Sequence, residues 1–259
     1  MCAAPVIRKL HEESPMTDAE WQVRVDLAAC YRLVAHFEMD DLFATHVSVR
    51  APGAAEHFLL NPYGMHFSEI TASSLVKIDL DGNIMSDTDH VINPAGFVIH
   101  SAIHTARHDA KCVLHTHTVA GMAISSMEEG LQPWFQKATR FHKRLAYHDF
   151  EGKAQDLDER ERLVRDLGDK NYLILRNHGL LVCGPSIGQA FKEMHAMEKA
   201  CKTQLAMMQA GGTIIKLSDN LLEHTAQQFE SDAKVTKERP SGWGSLLKML
   251  DRVNPGYDS

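Results

Sequence analysis

Short β-prone runs alternate along this chain with segments that carry helix-start signals, and that alternation restricts the fold more than any other feature. Residues 44–50 place the β-branched Thr45, Val47 and Val49 on one side and Ser48 and Arg50 on the other. Residues 57–61 form a second run, ended by the turn sequence Asn61-Pro62-Tyr63-Gly64. Residues 75–80, followed by Asp81-Gly82, predict a strand, a tight turn and a return strand at 83–86. Further β-prone runs fall at 112–117, 141–148, 172–175 and 180–183. Between them lie helices. Thr17-Asp18-Ala19-Glu20 has the form of a capping box and opens a helix to about residue 37, with Trp21, Val25, Leu33 and Phe37 near one face. Asn93-Pro94 reads as an N-cap followed by proline at the first helical position, opening a helix to about Arg107. Shorter helices are expected at 119–127 and 157–167. A second capping box, Ser186-Ile187-Gly188-Gln189, opens a long helix to about Ala210, stopped by Gly211-Gly212. Its stripe of Phe191, Met194, Met197, Ala200, Cys201, Leu205 and Met208 reads as core or subunit packing. The expected fold is a three-layer α/β/α core around a mixed or largely antiparallel sheet. Residues 1–16 read as a loose arm, 17–235 as one domain and 236–259 as a separate tail.

Composition closes off other classes. The chain has 259 residues, 44% hydrophobic and 24% charged, near the averages for a globular protein and long enough for a sizeable core. Its net charge of −7 argues against nucleic acid or an anionic membrane as partner. No window approaches the ~18 apolar residues of a membrane helix, and residues 1–15 hold no run long enough for a signal peptide. The five cysteines show no C-x-x-C spacing, which favours a reducing, cytoplasmic setting.

Histidine stands out, with 16 copies. His115-Thr116-His117 lies on a β-prone run, where positions two apart face the same side and two imidazoles can converge on one metal. The same dipeptide spacing also fits a half-exposed strand carrying two solvated rings. Arg176-Asn177-His178-Gly179 supplies a third ligand candidate at a strand end, with a glycine that lets the backbone turn. Three neutral imidazoles with an open position would make a catalytic-type site rather than a closed structural one. His100 and His104, at i and i+4 on the preceding helix, share a face and would either approach the metal or hold a ligand from behind; the alternative is one packed and one solvated ring. The remaining histidines read as surface or locally hydrogen-bonded. The chain contains no G-x-S-x-G, Walker A, H-E-x-x-H or G-x-G-x-x-G motif.

Three separated motifs in order (residues 92–104, 112–117 and 173–180) resemble the class II aldolase/adducin family, over residues 21–209. Further matches are His46-Val47-Ser48-Val49-Arg50, Asn61-Pro62-Tyr63-Gly64, residues 68–78, and Ala146-Tyr147-His148-Asp149, the last resembling the adducin branch. The resemblance implies a three-layer α/β/α sandwich with a mainly antiparallel sheet, assembled as a homotetramer. It implies a divalent metal, foremost Zn2+, with Fe2+, Mn2+ or Co2+ as alternatives, on His115, His117 and His178. It also implies substrate contacts at His46, Ser48 and Gly64. The implied chemistry is carbon–carbon cleavage of a small hydroxy or oxo compound through a metal-stabilised enolate.

Two departures qualify this. Gly96 stands where the sugar-phosphate aldolases carry a carboxylate base, and Thr45-His46 replaces their phosphate-binding Gly-Asn pair. The base must then come from His100, from metal-bound hydroxide, or from Tyr147 or His148 of a neighbouring subunit, and decarboxylation suits such a site better than aldol cleavage. Alternatives to this lyase are a non-catalytic adducin-head-like oligomeric module that keeps the metal, and a non-haem Fe(II) oxygenase.

Overall fold

The computed structural model describes residues 16–53, 56–152, 158–235 and 242–259. The expected N-terminal arm lies outside these residues except Met16, as does Leu157, the expected start of one helix. Seven strands form one sheet: β1 (His46–Arg50), β2 (His57–Leu60), β3 (Val76–Asp79), β4 (Cys112–Thr116), β5 (Leu145–His148), β6 (Tyr172–Leu175) and β7 (Gly179–Gly184). Their order across the sheet is β3-β2-β1-β4-β7-β6-β5. Every neighbouring pair is antiparallel except β5 with β6. The sheet is thus mostly antiparallel, as the sequence implied.

Helices cover both faces. On one side α2 (Pro94–Ala106) and α4 (Glu159–Leu167) bury Ile99, Ile103, Leu163 and Leu167 against Val113, Leu173, Leu181 and Cys183. On the other, α1 (Asp18–His36), α3 (Val119–Ser125), α5 (Ile187–Ala210) and α7 (Gly242–Val253) enclose the larger core, in which Leu27, Tyr31, Leu33, Phe191, Met194 and Leu250 are buried. A further helix, α6 (Asp219–Val235), is tied to the 142–144 region through Arg144, whose guanidinium pairs with Glu223 and Glu230. Among the described residues no helix is long and apolar enough to cross a membrane.

Three expectations change in detail. Both capping boxes are half-formed. Thr17 and Ser186 accept from the amides three residues on, each at 3.2 Å. The reciprocal side chains are drawn elsewhere: Glu20 binds buried Arg24 at 3.0 Å and Lys77 at 2.9 Å, and Gln189 donates to Glu193 at 2.7 Å. A buried charge outcompetes a helix-end amide for a carboxylate. The return strand at 83–86 is only a single bridge, Ile78 to Ile84, because the Asp79 carboxylate gathers the amides of Asp81 and Asn83 into a tight turn instead. On α1 the buried face runs through Leu27, Cys30, Tyr31 and Val34, while Trp21 is exposed.

The expected tail is anchored to the same chain. Trp243 donates to Asp26 of α1 at 3.0 Å, and buried Arg32 reaches the Asn254 side chain at 2.9 Å and the Pro255 and Gly256 carbonyls. Tyr257 is buried in the larger core.

Candidate metal centre

The end of β4 and the start of β7 meet at the middle of the sheet. His115 is the cross-strand partner of Leu181 on β7 and of His46 on β1. His117 follows one residue after the end of β4, and His178 one residue before β7 begins. The turn that delivers His178 depends on two neighbours. Asn177 takes a left-handed backbone with φ 54, a conformation asparagine tolerates better than most residues. Gly179 is not left-handed; it is glycine because a Cβ there would collide with the Thr116 carbonyl oxygen and press on the His117 and His115 rings at 3.3 and 3.4 Å. The requirement is close approach, where the sequence had suggested backbone turning.

The three rings pack with centroids 4.6 to 4.8 Å apart, His115 edge-to-face with both His117 and His178 and the latter two tilted to each other. One nitrogen from each lies within 4.8 Å of the others, the only such metal-compatible grouping among the described residues. His115 Nδ1 donates to the Leu180 carbonyl at 2.8 Å, and His117 Nδ1 is held by the Asp41 carboxylate at 3.1 Å. Both Nδ1 atoms are therefore committed as donors, and both Nε2 atoms turn lone pairs inward. Those lone pairs face each other at 2.8 Å, which is repulsive unless a positive charge lies between them. The donor set fits a divalent metal such as zinc. Burial first, and then the neighbouring histidines, hold His115 well below the usual imidazole range and His178 at about 4, so both rings are neutral and ready to ligate near pH 7.

A second histidine group adjoins the first on the α2 face. Ser48 is fully buried, and its hydroxyl lies 2.6 Å from His100 Nδ1 and 2.8 Å from His104 Nε2. The i, i+4 spacing on α2 thus brings both rings to one serine. His46 packs edge-on to His100, with centroids 6.0 Å apart. Burial lowers the pKa of all three, His46 to about 4, His104 to about 3, and His100 well below the usual imidazole range.

The other sequence candidates lie apart. His148, at the end of β5, is buried with Nδ1 2.8 Å from Asp166 and Nε2 3.4 Å from Glu159. Tyr147 turns to the opposite face, under the Arg176 guanidinium at 4.2 Å, with its hydroxyl close to Gly130. Burial raises its pKa above the usual phenol range. Gly64 occupies an exposed left-handed turn with φ 87. Gly96 lies in the first turn of α2. Sequence reading missed Asp41, whose only signal is an acidic pair in the α1–β1 loop. It also missed Glu198, which accepts from Thr118, the N-cap of α3 directly after His117.

Comparisons with known proteins place the chain in a family. Residues 25–205 match the model of the class II aldolase and adducin N-terminal domain. A Pseudomonas aeruginosa protein named for aldolase class 2 is 47% identical over 248 residues, 95% of each chain. Rat alpha-adducin is 40% identical over 91% of this chain, which spans 33% of that longer protein. A crystal structure of an aldolase II superfamily protein from Pseudomonas syringae matches with a TM-score of 0.85 at 45% identity, covering 94% of this chain and 98% of that one. L-fuculose 1-phosphate aldolase from Glaciozyma antarctica matches with a TM-score of 0.74 at 29% identity, covering 83% and 86%. By sequence and fold, this chain belongs to the class II aldolase and adducin family.

Proposed function

We propose that this protein is a divalent-metal-dependent carbon–carbon lyase, of aldolase or decarboxylase type, acting on a small hydroxy or oxo compound. The observation that carries the reading is the convergence of the His115, His117 and His178 ring nitrogens, two of them oriented by fixed acceptors on their far side. A metal held there supplies Lewis-acid polarisation of a substrate oxygen. Zinc is the foremost candidate, with Fe2+, Mn2+ and Co2+ compatible with the same donors. His46, Ser48 and Gly64 are proposed on the substrate side, with His100, hydrogen-bonded to Ser48, as a catalytic residue. Tyr147 and His148 retain a role only if assembly as a homotetramer in the cytoplasm brings a neighbour's copy to the site.

Elemental analysis of the wild type and His115→Ala tests this. One equivalent of divalent metal in the first and none in the second is the expected result; a wild type that neither contains nor takes up metal overturns it. A screen of 2-oxo and hydroxy acids on metal-loaded protein then tests turnover. The adducin relatives and Gly96 favour a second reading, an oligomeric binding module that keeps the metal without catalysis. It expects stoichiometric metal and no cleavage in the same screen.

A further inference from the structure

Strand β4 ends at Thr116 and helix α3 begins at Val119, so His117 stands outside both elements, on the bend between them. Its place is set by the residues on either side. Thr116 and Thr118 flank it, and both are buried. Both turn their hydroxyls to the same helix. Thr116 Oγ1 donates to Met194 Sδ at 3.4 Å, and Thr118 Oγ1 donates to Glu198 Oε2. Met194 and Glu198 are four residues apart on α5 and therefore share a face. One helix thus grips the bend before and after the ligand.

The two grips differ in strength. A thioether sulfur is a weak acceptor, whereas a hydrogen bond to a carboxylate is charge-assisted. The Thr118 hydroxyl is also fully committed. It caps α3 by accepting from the Gly121 amide at 3.1 Å, so its single proton goes to Glu198. There is no slack around this cap. A Cβ on Gly121 would come within 2.7 Å of Thr118 Oγ1 and 2.8 Å of Leu180 Cγ. Leu180 is the residue whose carbonyl orients His115. Glu198 itself is buried, and its other oxygen faces half-exposed Lys202 one turn along the helix, at 3.2 Å. An ionised side chain is expensive to bury, and a neutral glutamine of the same shape would fill the space. Asp41 already holds the His117 ring from its Nδ1 side. Glu198 holds the backbone that carries the ring.

We propose that Glu198 is a positioning residue of the metal centre, fixing through Thr118 the bend on which His117 stands. This rests on the metal reading of the three histidines. It assigns α5, which supplies no ligand, the task of holding one in place.

The test compares Glu198→Gln, Thr118→Val, Thr118→Ser and Met194→Leu. Cobalt affinity, measured by chelator competition, should fall about tenfold to a hundredfold in Glu198→Gln and in Thr118→Val. The two losses should not add in the double variant, because both remove one bond. The visible spectrum of bound cobalt should change with them. Thr118→Ser keeps the hydroxyl and should restore affinity and spectrum. Met194→Leu alters the same helix face without the carboxylate bond, and should bind cobalt like the wild type whatever its melting temperature. Cobalt binding in Glu198→Gln and Thr118→Val equal to that of Met194→Leu, or losses that add in full, overturns the proposal. The bend is also read without metal. The His117 ring resonances of the metal-free protein should move in Glu198→Gln and Thr118→Val, and stay in place in Thr118→Ser and Met194→Leu. Unmoved resonances overturn the positioning role. Failure of the wild type to take up cobalt overturns the metal reading instead, and the resonances still decide whether Glu198 fixes the bend.

Discussion

Two groups of three histidines lie side by side and differ in almost everything but residue type. In the first, His115, His117 and His178 stand at the ends of the central strands, and two of them spend Nδ1 on a carbonyl or carboxylate so that Nε2 points inward. In the second, His46, His100 and His104 are buried under α2, and two of them are joined by one serine. The first group has converging lone pairs; the second has nitrogens engaged with a hydroxyl or left single. The difference teaches that burial and number do not make histidines a metal site. Convergence does, enforced here by an acceptor behind two of the three rings.

The sharpest way to break this contrast is to exchange alanine at one position in each group. His115→Ala should abolish metal binding, while His46→Ala should leave about one equivalent bound, both read by elemental analysis. Equal loss from both would merge the groups.

Acid should act on the metal-free protein through the buried rings of both groups, with His115 also held well below the imidazole range and His178 at about 4. His46 and His104 have native pKa values of about 4 and about 3, below the ordinary imidazole value of 6.5. The unfolded chain therefore binds protons first as pH falls, and stability is full above about 6.5 and declines toward 4. The expected slope in metal-free protein is about 1.4 kcal/mol per pH unit for each proton taken up. Urea unfolding at pH 7, 6 and 5 measures it; a flat profile would mean that these rings are not neutral when folded.

Gly179→Ala should cost about 1–3 kcal/mol, because the added carbon meets a backbone oxygen that cannot swing aside. Gly64→Ala, in an open left-handed turn, should cost about 1–2 kcal/mol from backbone strain alone and leave metal affinity unchanged. Thermal melts and metal titrations separate the two. Asp41→Asn should act on the metal alone, because it keeps the ring in place but weakens its orienting bond. Metal affinity should fall about tenfold to a hundredfold, measured by chelator competition.

How much of this was readable from the residues depends on the distance over which each feature is determined. The strands at 172–175 and 180–183 and the helix N-caps at Thr17 and Ser186 follow from local pattern, and they are where the sequence places them. The ligand triad was readable because H-x-H and N-H-G are short signatures on strand ends. The serine bridge was not, since Ser48 and His100 are joined only when α2 crosses β1, and no local pattern encodes that crossing. The failed half of the first capping box has the same origin, since Glu20 is claimed by Lys77, which comes from β3; the second fails locally, with Gln189 drawn to Glu193 one turn on in its own helix. Asp41 was invisible because one acid in a loop looks like any other until a histidine stands beside it.

The pairing of β4 with β7 has a kinetic consequence. It joins residues 112–116 to residues 180–184, so the chain must close a loop of more than sixty residues before His178 meets His115 and His117. Such closures are entropically costly and tend to come late in folding. No local fragment of the chain holds the whole ligand set. A tightly bound metal would therefore count native molecules, and its dissociation would track the opening of the central sheet rather than fraying at either edge.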